Sequence, residues 1–81
     1  MDIIMDKKQL GERLQQENIN EYYYSLDGDL PNEAFCLHEN NNHWEVYYSE
    51  KGNKSQLKSF ESEEDACNYF YNWVMKIFKK I

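Results

Sequence analysis

The stretch that most constrains this chain is residues 62–81, SEEDACNYFYNWVMKIFKKI. Ala66, Phe70, Trp73, Val74, Ile77 and Ile81 recur at helical spacing and form one apolar stripe; Cys67, Tyr71, Met75 and Phe78 widen it. Ser62 stands where an N-cap accepts a hydrogen bond from an unpaired backbone N–H. Glu63, Glu64 and Asp65 occupy the positive end of the helix dipole, and Lys76, Lys79 and Lys80 the negative end. A single helix cannot bury so wide a stripe against itself, so a flat apolar layer must cover it.

The segments upstream supply such a layer. Residues 6–17, DKKQLGERLQQE, read as a short helix. Asp6 and Gln9 have capping-box spacing, and Leu10 and Leu14 lie one turn apart. Ile3, Ile4 and Met5 precede it as a candidate staple, and Gly11 weakens it by up to ~1 kcal/mol relative to alanine. Residues 22–26, YYYSL, have strand composition, with Tyr22, Tyr24 and Leu26 on one face and Tyr23 and Ser25 on the other. Asp27-Gly28 signals a turn, prolonged by Leu30, Pro31 and Asn32. Residues 34–39, AFCLHE, form a second strand, whose apolar run suits cover on both faces or either register. Asn40, Asn41 and Asn42 make a polar connection that tolerates left-handed backbone. Residues 44–49, WEVYYS, alternate: Trp44, Val46 and Tyr48 on one face, Glu45, Tyr47 and Ser49 on the other. After the turn at Lys51, Gly52 and Asn53, residues 56–59 suit a short edge strand flanked by Lys54 and Lys58.

The expected fold is therefore one α+β domain over residues 1–81. It has two layers: a three- to four-stranded antiparallel meander packed on a long C-terminal helix, with a short N-terminal helix on the same face. Eighty-one residues form a small core, and the seven Tyr, four Phe and two Trp compensate, because each aromatic buries roughly 150–250 Å². The same residue types also dominate binding hot spots.

The sequence has no catalytic signature. Cys36 and His38 share a strand face and His43 follows a short loop, but a zinc site usually needs four placed ligands and no second ligand pair is evident. Neither cysteine sits in a nucleophile motif, and no phosphate-cradling glycine loop is present among three glycines. No enzyme activity, metal or cofactor is expected; a small enzyme using Cys36 or Cys67 is the least favoured reading. Both cysteines read as buried thiols rather than a disulfide framework. The N-terminal MDIIMDKK has too short an apolar run for a signal peptide, and no segment approaches a membrane span, so a cytoplasmic, reducing location is expected.

The charge distribution carries more information. The net charge is −6. Residues 1–50 hold eleven acids and three bases, a balance of −8, whereas residues 51–81 hold six lysines and four acids, a balance of +2. Such a field repels nucleic acid and steers a basic protein. Tyr23 and Tyr47 are expected on the sheet face away from the helices, with Glu45 in line and Asp27, Asp29 and Glu33 in the adjoining turn. Together these six residues form a candidate partner-binding surface: tyrosine supplies contact area at low entropic cost, and carboxylates pair with Lys or Arg. A merely solvated sheet face accounts for the same alternation.

Three segments extend the reading: YSLDG at 24–28 leading into EAFCL at 33–37, WEVYYSEKG at 44–52, and FESEEDACNYF at 60–70. Together they resemble the small immunity proteins encoded beside polymorphic bacterial toxins. The likeness covers about residues 22–71; the loop at 40–42 and the helix end depart from it. The resemblance implies a cytoplasmic, non-enzymatic protein that binds and blocks a cognate toxin domain, often a basic nuclease. The alternative is a generic intracellular interaction or regulatory module with no toxin partner. An uncovered edge strand or tyrosine face also offers a route to a homodimer.

Overall fold

A computed structural model describes residues 5–28 and 33–79. Ile3, Ile4, Asp29, Leu30, Pro31, Asn32, Lys80 and Ile81, each assigned a role from sequence, lie outside the described residues. The elements run helix, four strands, helix: α1 (Lys7–Gln16), β1 (Tyr24–Ser25), β2 (Ala34–Asn40), β3 (His43–Glu50), β4 (Asn53–Phe60) and α2 (Glu63–Phe78). A 3-10 turn, Glu21–Tyr23, precedes β1. Among the described residues the strands form one sheet in the order β1-β2-β3-β4. The α+β architecture is the expected one.

Both helices begin where their sequences direct. Asp6 caps α1 and forms a reciprocal capping box with Gln9: the Gln9 N–H donates to Asp6 at 2.8 Å and the Asp6 N–H donates to Gln9 Oε1 at 3.2 Å. Ser62 caps α2, accepting from the Asp65 N–H at 3.1 Å. Two otherwise unpaired donors at the start of α1, and one at the start of α2, are thereby satisfied.

β2, β3 and β4 form the expected antiparallel meander, joined by tight connections at Asn41 (φ 58°) and at Lys51-Gly52 (φ 51° and 79°). β1 differs in direction: it pairs parallel to β2, with Tyr24 beside Phe35 and Ser25 beside Cys36. The expected five-residue strand is only two residues long, because residues 21–23 take the 3-10 turn, capped by the Asn20 side chain on the Tyr22 N–H at 2.9 Å. β1 and β2 start at the same end of the sheet, whereas a tight hairpin would have enforced antiparallel pairing.

The core lies between sheet and helices. Leu10, Leu14, Leu37, Val46, Ala66, Cys67, Phe70 and Val74 are fully buried there. On α2 the expected stripe holds through Val74 and Met75, but Ile77 is 49% exposed and Phe78 36% exposed. The cause lies in β4. Strand partners share a face, and the β4 partners of Trp44, Val46 and Tyr48 are Phe60, Lys58 and Ser55. Past Phe60, β4 therefore turns only polar side chains toward the last turns of α2. A bulge adds to this: the register shifts between Val46 and Tyr48, leaving Gln56 (φ 55°) and Leu57 opposite Tyr47 alone.

Candidate protein-binding surface

The strand register places Tyr47 and Glu45 on the sheet face away from the helices, opposite Cys36 and His38. That face is not a solvated surface. Tyr47 is 1% exposed and Glu45 9%, and Ala34, Cys36 and Ser49 on the same face are buried. Tyr47 and Glu45 are therefore not the exposed pair expected. Alternation assigns a face but does not report what crosses it. The Lys54 ammonium lies 4.8 Å from the centroid of the Tyr47 ring and 3.6 Å from Glu45 Oε1, while His43 Nε2 stands 3.7 Å from Glu45 Oε2. Gly28 closes on the face from the other side: at φ 83°, its backbone sits so near the His38 imidazole that a β-carbon would collide with the ring.

The other sequence-chosen residues separate. Asp27 is exposed and belongs to the helix side, where it pairs with the Lys7 ammonium at 2.5 Å. Its turn is held by Ser25, whose hydroxyl donates to the Gly28 carbonyl at 2.9 Å and accepts from the Asp27 N–H at 3.4 Å. Asp29 lies outside the described residues. Tyr23 is in the 3-10 turn, not on the outer sheet face, and packs on Phe78 of α2 with ring centroids 5.2 Å apart. Glu33 is exposed at φ 57°, just before β2. Among the described residues the exposed acids are spread over α1, the 3-10 turn, the turn at Asp27, both ends of β2, the end of β3 and the start of α2, so they do not form a single acidic face.

Tyr23 and Glu33 do converge on one feature, at the end of the molecule where β2 begins and α2 ends. Phe35 is its centre. Its ring meets Trp73 at 4.7 Å, Tyr48 at 5.0 Å and Phe78 at 5.9 Å between centroids, all edge-on. A groove of about 360 Å³ opens there, lined by Phe35, Tyr48, Gln56, Trp73, Ile77 and Phe78. Tyr22, 85% exposed, and Tyr23, 49% exposed, extend the apolar surface beyond Phe78. Phe35 pairs with Tyr48 and Ala34 with Ser49, so Glu33 and Glu50 follow at the Tyr48 rim and make it acidic; burial raises the Tyr48 hydroxyl pKa, and these two negative charges raise it further. Beyond Trp73, the opposite rim carries Lys76. The sequence carries a signal for this groove: the helix stripe continues to Ile77 and Phe78, while Leu57 is the single apolar residue that residues 54–59 offer.

Other chemistry has less support in the geometry. Cys36 and Cys67 are buried thiols, as expected, and burial pushes the Cys67 thiol up to about 12, with Glu63 and Asp6 adding to the shift. A thiol that stays protonated is a poor nucleophile. Among the described residues no group of three or more His, Cys, Asp or Glu side chains is arranged to hold a metal ion. A wider, shallower depression borders α1, but it mixes Lys7 and Lys8 with Asp6, Glu12, Asp27 and Glu63 and presents no single charge. Among the described residues no helix is long and apolar enough to cross a membrane. Comparison with protein-family models, curated proteins and solved structures gives no match.

Proposed function

We propose that this chain is a non-enzymatic immunity protein of the bacterial cytoplasm, which binds a basic cognate toxin domain and occludes its active groove. One observation carries the reading: an exposed aromatic end, with Tyr22, Tyr23, Ile77 and Phe78 uncovered and Glu33 and Glu50 beside Tyr48, on a chain of net charge −6. Uncovered aromatic surface that the chain's own strands leave without a roof is a common mark of a protein-binding site. The resemblance of residues 22–71 to immunity proteins supports the choice of partner. The negative field accelerates encounter with a cationic domain, and the aromatic end supplies the short-range contact. No reaction on the toxin is required, since covering its substrate groove is sufficient.

The test is calorimetric titration against the variable C-terminal domain of the toxin encoded beside this gene, at low and physiological salt. The expected result is nanomolar or tighter binding that weakens as salt rises, with loss of toxin activity at a one-to-one ratio. Absence of binding overturns the proposal. A neighbourhood without a secreted toxin gene turns the choice to the interaction-module reading.

A further inference from the structure

We infer that the groove between the end of α2 and the β3–β4 ribbon takes one large apolar side chain of the partner, presented by a segment whose flanking Lys or Arg reaches Glu33 and Glu50. This deepens the proposed function, on which the identity of the partner rests.

The groove is a product of the fold. Trp73 and Ile77 continue the apolar stripe of α2, but the facing positions of β4 are Ser55 and Lys58, and the bulge sets Gln56 at its edge. Nothing aromatic or aliphatic on β4 closes over Tyr48 and Trp73. The floor, by contrast, is rigid: Phe35 is 8% exposed and held edge-on by three rings. Its volume, about 360 Å³, lies at the small end of the roughly 300–1,000 Å³ of organic ligand sites, which suits a side chain rather than a cofactor. A preformed aromatic pocket bordered by a wider apolar rim is the arrangement in which interface anchors contribute most.

Charge selects the occupant. Phe35 pairs with Tyr48 and Ala34 with Ser49, so Glu33 and Glu50 stand next in line at the Tyr48 end of the groove; both are exposed, so a cation arriving there keeps much of its hydration while gaining two carboxylate partners. Lys76 stands behind Trp73 at the other end. A segment with its base on the Tyr48 side therefore fits better than the reverse.

Trp73 reports occupancy, because Trp44 is the only other tryptophan. The experiment uses the full chain carrying Trp44→Phe, titrated with a short tryptophan-free amphipathic peptide of Leu, Phe and Arg, and with its Gln-for-Arg and Glu-for-Arg analogues. The Arg peptide is expected to shift Trp73 emission and to bind most tightly. Glu33→Gln with Glu50→Gln is expected to weaken it roughly fivefold, the effect of two exposed ion pairs. Glu12→Gln with Glu39→Gln removes equal charge elsewhere and is expected to change it little. Ile77→Gln, at a half-exposed position, abolishes the emission shift while circular dichroism stays unchanged. Equal binding of the three peptides, or equal losses in the two double variants, overturns the inference. Concentration-dependent Trp73 emission without peptide, together with dimers in sedimentation, overturns it in favour of a second copy of this chain. The two proposals fail separately. A toxin that binds Ile77→Gln undiminished removes the groove but not the immunity reading. A groove that fills with the Arg peptide in a protein that ignores the neighbouring toxin removes the immunity reading but not the groove.

Discussion

The Glu63 carboxylate accepts a 2.8 Å hydrogen bond from the backbone N–H of Lys7, so the first residue of α2 satisfies the first residue of α1. The two helices are 56 residues apart along the chain at this point. Lys7 is one of the N–H groups that α1 cannot pair internally, and Glu63 also lies in the first turn of its own helix. One carboxylate thus serves the positive ends of two helix dipoles. Asp6 and Ser62, the two N-caps, fix the turns that bring them together.

Replacing Glu63 with alanine removes both effects and is expected to cost about 1–2 kcal/mol, the range of a charge-assisted hydrogen bond plus a dipole interaction. For a domain of this size that lowers Tm by roughly 4–8 °C per kcal/mol. Glu63→Gln keeps a hydrogen-bond acceptor and is expected to retain part of the loss. Thermal unfolding of the two variants checks this; an unchanged Tm for the alanine variant contradicts it.

Gly28→Ala strains the backbone twice. The left-handed φ of 83° costs a residue with a β-carbon about 1–2 kcal/mol, and the added methyl collides with the His38 ring. The second part is separable, because His38→Ala removes the ring. In a double-mutant cycle measured by urea denaturation, Gly28→Ala is expected to cost less in the His38→Ala background. Equal costs in both backgrounds would show that the loop does not rest on His38.

Phe70 and Ile77 lie on one helix stripe, but alanine at the two positions should behave differently. Phe70 is fully buried, so Phe70→Ala is expected to cost about 3–5 kcal/mol, a large share of the roughly 5–15 kcal/mol that holds a small domain together. Ile77 is half-exposed and borders an open groove, so Ile77→Ala is expected to cost under about 1 kcal/mol. Chemical denaturation midpoints decide between a graded and a uniform stripe.

Alkaline pH should weaken the fold through Cys67. Burial raises its thiol from the ordinary 9.0 to about 12 in the folded chain, so the folded state holds its proton where the unfolded state loses it. The contribution is fully present below pH 9 and is lost as pH rises from about 9 to 12, with a slope of up to about 1.4 kcal/mol per pH unit. Tyr24 and Tyr48, raised chiefly by burial, act in the same direction. Cys67→Ala in a urea series from pH 8 to pH 10.5 should flatten that dependence, and a slope unchanged by the substitution removes the thiol as its cause. The same burial predicts that aqueous thiol reagents leave Cys36 and Cys67 unmodified in the folded protein.

Local rules account for what was legible in the chain. Asp6 with Gln9, and Ser62 ahead of three acids, specify helix starts through hydrogen bonds only a few residues long. The alternation of residues 44–49 specifies which side chains share a face. The candidate surface was less legible. Alternation gives Tyr47 its correct face but not its burial, because no local pattern reveals that Lys54 lies against its ring and Gly28 against His38 on that face. Composition favours a strand at Tyr23, yet the Asn20 cap draws residues 21–23 into a 3-10 turn, and the Tyr23 ring packs on Phe78.

By itself, then, the sequence determined the helices, three of the strands, the faces of residues 44–49 and the overall negative charge, since each follows from period, capping or composition within a short span. Only the tertiary structure decided which apolar surface stays open. That depends on β4 failing to roof Trp73 and Ile77, on a bulge at Gln56, and on the approach of Gly28 to His38 at the opposite face of the sheet. These are relations between distant segments, and no periodicity along the chain encodes them.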